Sequence, residues 1–312
     1  LVSLMFLDTS INMAMQPFKM MVGDMVNEKQ KGLAYSIQSF LCNAGSLVGF
    51  LFPFIFTWIG ISNIAPQGVV PDSVIYSFYI GAAILILCVI YTTVKVKEMP
   101  PAEYAEYHGI TEEEEKEKIN MVKLLIKAPK AFWTVGLVQF FCWFAFMFMW
   151  TYTNGSVAAN VFDAPTVETA VNGVSKVMLD TKSIQYQDAA DWVGVLFAVQ
   201  AIGSVLWAVC IPLFKDRKLI YSLSLVLGGL GFISTYFVHN QYVLFISFLL
   251  IGCAWAAMLA LPFTILTNAL SGGHMGTYLG LFNGTICIPQ IVAASLGGSI
   301  LALFTPKGML PP

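Results

Sequence analysis

Eight long apolar runs constrain the fold of this chain more than any other feature. A helix that crosses a bilayer needs roughly 20 mostly apolar residues. Eight stretches reach that length: residues 1–26, 33–57, 73–96, 131–153, 191–214, 219–238, 241–268 and 276–304. They are too continuous for the alternating segments of about ten residues in membrane barrels. Because the bilayer core offers the backbone no water, the runs predict an all-α polytopic membrane protein.

The composition excludes several other classes of protein. Hydrophobic residues make up 57% of the chain and charged residues 11%, whereas soluble domains are nearer half apolar and a quarter charged. A soluble enzyme and a disordered chain are therefore not expected. The formal net charge is −2, so no basic field indicates a nucleic-acid partner.

Motifs for bound metals, phosphates and nucleophiles are missing from the sequence. The six cysteines lie in apolar runs without a CxxC pair, and the three histidines are scattered, so no metal site is predicted. The chain has no GxxxxGK[ST] loop, and neither an ATP-binding subunit nor ATP as the direct energy source is implied. An acid cluster at a membrane boundary, which a lipid-linked sugar transferase would need, is also missing. The sequence predicts neither an enzyme nor an organic cofactor.

The lysines and the single arginine give one consistent threading. If the runs cross the membrane alternately, 13 of the 16 basic residues fall on one side. The other side holds only Lys176, Lys182 and Lys307. Cytoplasmic segments are enriched in Lys and Arg, so the side with 13 charges is predicted to be cytoplasmic. The first run then passes from outside to inside.

Two long polar segments organise the chain. Residues 154–191 are predicted to be external, and residues 97–130 form a predicted cytoplasmic linker with four consecutive glutamates. The linker separates residues 1–96, with three runs, from residues 131–312, with five. Two equal halves would need three more runs before residue 1 and one more after residue 312. We therefore expect an internal fragment of a six-plus-six transporter with its site between two bundles.

Asp8 is the one clear carboxylate inside an apolar run. A charge at the bilayer centre costs at least ~2.5–3.5 kcal/mol, so it must face a cavity or a partner, or stay protonated. Asp8, Asn12 and Gln16 recur every four residues, which places them along one side of a helix. One interpretation is proton or cation coupling, and the alternative is a structural carboxylate held by donors of a neighbouring helix.

Other polar and aromatic residues inside the runs are candidate substrate ligands. For Gln38 and Asn43 the alternatives are substrate contact and interhelical hydrogen bonding. Trp143 lies deep in the fourth run beside Gln139, and it either lines a pocket or faces lipid. The last run carries Asn283 and Gln290 at helical spacing, with Pro289 between them.

Two further patterns suggest packing and gating. Gly45 and Gly49 form a small-xxx-small pair, which predicts close helix packing. Asp216 and Arg217 lie in a four-residue turn on the predicted cytoplasmic side. They either gate by pairing with a neighbouring helix end or anchor the chain at the membrane surface.

Several segments resemble, in order, the motifs of sucrose-transporter-like proteins. The similar segments are residues 7–18 (LDTSINMAMQPF, against the fourth-helix L-D-x-x-x-N), Gly23-Asp24, residues 138–143 (VQFFCW), residues 280–283 (GLFN) and residues 288–292 (IPQIV). That family is a branch of the major facilitator superfamily, within or next to the glycoside–pentoside–hexuronide:cation symporters. The resemblance implies twelve helices, of which this chain covers about the fourth to the eleventh.

The resemblance also implies a function and a set of site residues. It implies proton-coupled uptake of a sucrose- or maltose-like glycoside, with Asp8 as the coupling acid. It places Asn12, Gln16, Gln139, Trp143, Asn283 and Gln290 on positions that line the cavity. Residues 153–162 depart from the plant pattern D-W-M-G-R-E-V-Y, so the sugar stays open and Na⁺ remains an alternative ion. The lysine-rich composition suggests a bacterial inner membrane, and a passive facilitator and a non-transporting sensor remain the alternative functions.

Overall fold

The described part of the chain consists mainly of long helices and includes one small hairpin. The computed structural model describes residues 2–27, 29–61, 70, 72–97, 100, 103, 106, 121–171, 174–270 and 275–304. Its helices are α1 (Val2–Met25), α2 (Lys31–Trp58), α3 (Asp72–Lys95), α4 (Met121–Lys127), α5 (Lys130–Asn160), α6 (Ile184–Cys210), α7 (Arg217–Phe237), α8 (Leu244–Ala269), α9 (Met275–Phe282) and α10 (Gly284–Phe304). A 3₁₀ turn, Ile211–Leu213, follows α6, and strands β1 (Thr166–Val171) and β2 (Val174–Leu179) lie between α5 and α6.

Each of the eight apolar runs lies on helix, so the prediction of an all-α polytopic membrane protein is confirmed. Six helical segments are long and apolar enough to cross a membrane among the described residues: Asp72–Lys95, Lys130–Asn160, Ile184–Leu213, Arg217–Phe237, Leu244–Ala269 and Gly276–Leu303. The helices on the first two runs, α1 and α2, are 24 and 28 residues long. At 1.5 Å per residue both have the length to span the hydrocarbon core.

The structure adds two features that the runs did not predict. The last run is divided at Asn283 into α9 and α10, six residues before Pro289, and the helix continues through that proline. The predicted external segment contains an antiparallel hairpin in which Thr166 pairs with Leu179 and Val171 with Val174. The helices on either side of this hairpin extend beyond the apolar runs, since α5 ends at Asn160 and α6 begins at Ile184.

Helix α8 is the central helix of the second predicted half, residues 131–312. It packs against α7, α6 and α5, and also against α2 from the first half. Glycines allow the close approach. A Cβ atom on Gly203 would lie 2.6 Å from the Leu249 carbonyl oxygen, and one on Gly231 would lie 2.7 Å from the Ser247 carbonyl oxygen. A Cβ atom on Gly252 would overlap the Gln200 carbonyl oxygen. Small residues at these crossings therefore bring the backbones of α6, α7 and α8 together.

The predicted packing role of Gly45 and Gly49 is wrong for the part of the chain that the structure describes. A Cβ atom on either residue would meet nothing within 4 Å. The spacing of two glycines shows that close approach is possible, but a neighbouring helix must also lie against that side of the helix. On α2, the residues that meet α8 include Ser39, which donates a 3.1 Å hydrogen bond to the Ala256 carbonyl oxygen.

Helix α2 joins the two predicted halves of the chain. It packs against α3 on one side and against α6 and α8 on the other. Helix α1 contacts α2 and α9, and α10 lies against α5. Residues 1–96 and 131–312 thus meet mainly through α2, while the division into two domains stays a prediction.

Candidate functional site

The predicted coupling helix is present, but its central side chains lie outside the described residues. Val2–Met25 is one continuous helix, and nothing is described for the side chains of Asp8, Asn12 and Gln16. Lys19 follows Asp8 by eleven residues, close to three full turns, so positions 8 and 19 share one side of α1. The Lys19 ammonium group lies 4.5 Å from the ring centroid of Phe263 on α8. At Lys19, this side of α1 is therefore the one that approaches the second half.

Gln139 is fully buried between three helices. Its Nε2 donates to the Met258 carbonyl oxygen on α8 at 3.4 Å, and its Oε1 accepts from the Tyr221 hydroxyl group on α7 at 3.3 Å. A buried amide that bonds at both ends links α5, α7 and α8 in this conformation. Its contact with a substrate stays a prediction.

Trp143 belongs to an aromatic cluster between α5 and α8, in which Trp143 and Phe146 are buried and Trp150 is 40% exposed. Its ring meets the edge of Trp255 at a centroid distance of 5.5 Å, and Trp150 contacts Trp255 at 5.4 Å. Phe146 lies 4.9 Å from Trp255. Since only 9% of Trp143 is exposed, the lipid-facing alternative does not apply. The Nε1 group of Trp143 is buried and has no hydrogen-bond partner.

The polar residues of α2 are only partly satisfied. Asn43 is buried, and its Nδ2 donates to the Ser39 carbonyl oxygen at 2.7 Å. The Oδ1 atom of Asn43 and the Nε2 atom of Gln38 are buried without a hydrogen-bond partner. One half of each amide group therefore remains able to bond to another molecule.

Asn283 lies at the break between α9 and α10. Its Nδ2 contacts the Cys287 sulfur at 3.6 Å, and its Oδ1 is buried without a partner. Two turns later, the Gln290 Nε2 donates to the Ile286 carbonyl oxygen at 3.2 Å. At the break, a buried amide oxygen within the predicted eleventh helix is thus left without a partner, whereas Gln290 bonds to its own helix.

Buried polar atoms without partners coincide with the predicted positions. Six such side-chain atoms occur in the described part of the chain, on Gln38, Asn43, Trp143, Asn154, Arg217 and Asn283. Four of these residues are predicted substrate ligands, and Arg217 is a predicted gate residue. A buried polar group without a partner is costly and calls for an explanation, which a ligand or bound water can provide.

The predicted gate residues have different surroundings. Asp216 caps the N-terminus of α7, because its Oδ1 accepts from the backbone amides of Lys218 at 2.9 Å and Leu219 at 3.1 Å. Arg217 extends to the start of α2, where its Nη2 would lie 2.9 Å from a Cβ atom on Gly32. The Nη1 atom of Arg217 is buried without a hydrogen-bond partner. Arg217 therefore joins the second half to the first, while Asp216 holds the turn from which it extends.

A cavity of about 650 Å³ lies away from the predicted site. Its wall is formed by α5, α7, α8 and α10 towards the predicted external side, with Tyr152, Thr153, His239, Phe248 and Leu301 among its residues. None of the predicted ligands lines it. Within the described ranges, no group of three or more His, Cys, Asp or Glu side chains could hold a metal ion.

Sequence reasoning missed the residues around Phe263. Lys19 was used only for the threading, and Tyr35 and Phe263 gave no signal of their own. The available signal was a lysine six residues before the end of a helix, on the same side as Asp8. Which aromatic ring would meet its ammonium group depends on the packing of α1 against α8, and one sequence does not contain that information.

Comparison with protein families gives one match. The sequence model of the Major Facilitator Superfamily matches residues 1–175, which is more than half of the chain. The matched range includes the predicted linker and all of α5. A search of curated proteins finds no match.

Proposed function

Since this chain belongs to the Major Facilitator Superfamily, we propose that its transport activity is proton-coupled symport of a glycoside such as a disaccharide. The family and the apolar helices make it an integral multi-pass membrane transport protein. The substrate class and the coupling ion go beyond family membership and are our proposal. The sucrose-transporter-like motifs around Asp8, Trp143 and Asn283 support them.

The observation that carries the sugar proposal is the set of buried atoms without partners. The Nε2 of Gln38 and the Nε1 of Trp143 are donors, while the Oδ1 atoms of Asn43 and Asn283 are acceptors. A sugar hydroxyl group donates one hydrogen bond and accepts others, so one class of ligand serves both kinds of atom. An apolar wall with a few polar groups and aromatic rings is typical of small-molecule sites. Asn12, Gln16, Gln139 and Gln290 complete the proposed set.

Asp8 is the proposed coupling residue. Protonation from the external side would neutralise it and favour sugar binding, and loss of the proton on the inner side would release both. Access would alternate by rocking of the two halves around the site. Arg217 would gate the cytoplasmic side through its contact with Gly32 on the opposite half. Asp216 would act by fixing the turn before α7.

The decisive variant for coupling is Asp8→Asn in the full-length transporter. We expect uphill accumulation to be lost, while counterflow exchange continues, because a neutral amide mimics the protonated state permanently. Asp72→Asn, at the exposed start of α3, is the matched control and retains accumulation. Uphill uptake by Asp8→Asn with its pH dependence intact would contradict the coupling role.

A counterflow screen tests the substrate and the ion. Disaccharides are offered to vesicles at two pH values, with and without sodium. Exchange of a glycoside that is stimulated at low pH without sodium supports the proposal, whereas stimulation only by sodium assigns the other ion. Uptake that is insensitive to an uncoupler and stops at equal sugar concentrations on both sides indicates a passive facilitator, and no flux of any sugar favours a sensor. The lysine-rich composition supports a bacterial inner membrane as the place of action.

A further inference from the structure

Four helices meet at one small cluster of side chains. The cluster consists of Lys19 on α1, Tyr35 on α2, Phe263 on α8 and Phe282 on α9. Lys19 and Phe263 each lie six residues from the end of their helix, and Tyr35 is the fifth residue of α2. Phe282 lies seven residues after position 275, where the predicted cytoplasmic segment between the last two apolar runs ends. Two members belong to the first predicted half and two to the second. The cluster therefore lies between the two halves, on the predicted cytoplasmic side.

The Phe263 ring contacts all three other members. The Lys19 ammonium group lies 4.5 Å from its centroid. Tyr35 stacks on it at a centroid distance of 6.1 Å and an interplanar angle of 28°. Phe282 meets it edge to face at 5.9 Å. Tyr35 also donates a long hydrogen bond, 3.4 Å, to the carbonyl oxygen of Lys19, so Tyr35 contacts both Lys19 and Phe263.

We propose that Lys19 and Phe263 form a cation–π latch that keeps the cytoplasmic side closed until the halves separate. Lys19 is nine-tenths buried. Its ammonium group lies over the face of the Phe263 ring. A buried ammonium group is costly unless something compensates it. The negative face of an aromatic ring provides such compensation, more strongly where water is excluded. When the halves part, water replaces the ring, so the charge has a favourable partner in both states.

The latch is independent of the substrate and the coupling ion proposed above. It depends only on a contact between α1 and α8. It also differs from the Arg217 contact, which involves the start of α2. A test that reads cytoplasmic access directly can therefore succeed even if the sugar proposal fails.

The test measures access from the cytoplasmic side in the full-length transporter. Its native cysteines are replaced, and Ser36→Cys on α2 serves as the reporter, because Ser36 is 3% exposed and its hydroxyl group donates to the carbonyl oxygen of Gly32 on its own helix. Inside-out vesicles are treated with a membrane-impermeant maleimide without sugar or gradient. The rate of labelling is compared for Phe263→Leu in the parent and in the Lys19→Met background.

The latch predicts a coupled result. Phe263→Leu leaves the buried ammonium without its ring, so labelling should accelerate about tenfold when Lys19 is present. In the Lys19→Met background no charge is stranded, and the same substitution should change the rate less than about twofold. Phe282→Leu removes a ring that meets Phe263 without holding the charge, and it should act equally in both backgrounds.

Other outcomes overturn the latch. Equal acceleration by Phe263→Leu in both backgrounds would show that the ring acts by packing alone. An unchanged rate with Lys19 present would show that the contact does not restrain opening. Lys19→Arg is the rescue variant, since it retains a cation, and the tenfold effect of Phe263→Leu must persist in it. Counterflow measured on the same vesicles reports separately on the sugar proposal.

Discussion

At the scale of single residues, Trp143 combines a packing role with an unused hydrogen-bond donor. Its ring contacts Trp255, while its Nε1 group has no partner. Trp143→Phe keeps an aromatic ring and removes only the donor. If this donor binds the sugar, its loss costs roughly 1 kcal/mol, so KM for counterflow should rise about fivefold with little change in thermal stability. Trp133→Phe, on an exposed ring near the start of α5, should leave KM unchanged, and an unchanged KM in Trp143→Phe would remove Trp143 from the site.

Gly252 shows how much a single methyl group can cost where two backbones touch. A Cβ atom there would overlap the Gln200 carbonyl oxygen and lie 2.8 Å from the Ser204 nitrogen. Neither is the end of a flexible side chain, so α6 and α8 would have to separate. We expect Gly252→Ala to lower the free energy of unfolding by about 1–3 kcal/mol, measured by unfolding of the purified protein in detergent.

The matched control for Gly252 lies on α7. A Cβ atom on Gly229 would meet nothing within 4 Å, and alanine is the better helix former in general. Gly229→Ala should therefore leave stability unchanged or raise it slightly. If both substitutions gave the same loss, the loss would come from glycine flexibility and not from the contact between α6 and α8.

The sequence identified polar residues with unusual surroundings more successfully than it identified the close contacts between helices. Gln38, Asn43, Trp143 and Asn283 stand out because a polar atom in an apolar run needs a partner, and each does carry a buried unsatisfied atom. Glycines give no comparable signal. Gly45 lies in open space whereas Gly203 touches a backbone, and only the placement of neighbouring helices distinguishes them.

At the scale of helices, the role of Asp216 that the structure shows is to cap the N-terminus of α7. Its carboxylate accepts two backbone hydrogen bonds at the start of α7. Asp216→Ala should cost about 1 kcal/mol of stability, whereas Asp216→Ser and Asp216→Asn keep a capping oxygen and should stay close to the parent. Unfolding in detergent and the rate of counterflow are compared across the three variants. Normal stability with lost counterflow in Asp216→Asn would instead assign a direct role to the charge.

The helices were predictable from length and hydropathy, but their ends and interruptions were not. The helix α5 continues to Asn160, well past the apolar run, because polar residues beyond the run can extend a helix without entering the membrane. The hairpin had a signal in the sequence, Asn172-Gly173 between two alternating segments, which is typical of a two-residue turn. A prediction based only on apolar runs does not detect this turn. The break at Asn283, and not at Pro289, depends on neighbours that a single helix does not reveal.

At the scale of the whole molecule, charge bias and packing agree with each other. The threading was derived only from lysine and arginine positions. The structure independently brings together Lys19, Tyr35, Phe263 and Phe282, each within seven residues of a helix end that this threading assigns to the cytoplasm. The superfamily match extends across the linker to residue 175. The fold class could therefore be predicted from the sequence. The contact between the halves could not, because it depends on how α1 and α2 pack against α8 and α9.

Gly32 provides a way to open the predicted cytoplasmic side without damaging a helix core. A side chain at position 32 would meet the guanidinium group of Arg217, 2.9 Å from its Nη2. Because that group is the end of a flexible side chain, it can be displaced at little cost in stability. Gly32→Leu should push it out and weaken the contact between α2 and the start of α7. We expect a longer mean distance between spin labels on the exposed positions Lys29 and Lys218, measured by pulsed electron resonance in the full-length protein.

Two comparisons determine whether that displacement acts through Arg217. Gly45→Leu adds the same side chain on α2 where a Cβ atom has open space, and it should leave the distance distribution unchanged. Arg217→Ala alone should lengthen the distance, and adding Gly32→Leu to it should have no further effect, because the group to be displaced is gone. If the two substitutions lengthen the distance additively, leucine wedges the halves apart by its own volume and Arg217 is an anchor. If neither changes the distance, the closed state depends on the cluster around Phe263 and not on the turn before α7.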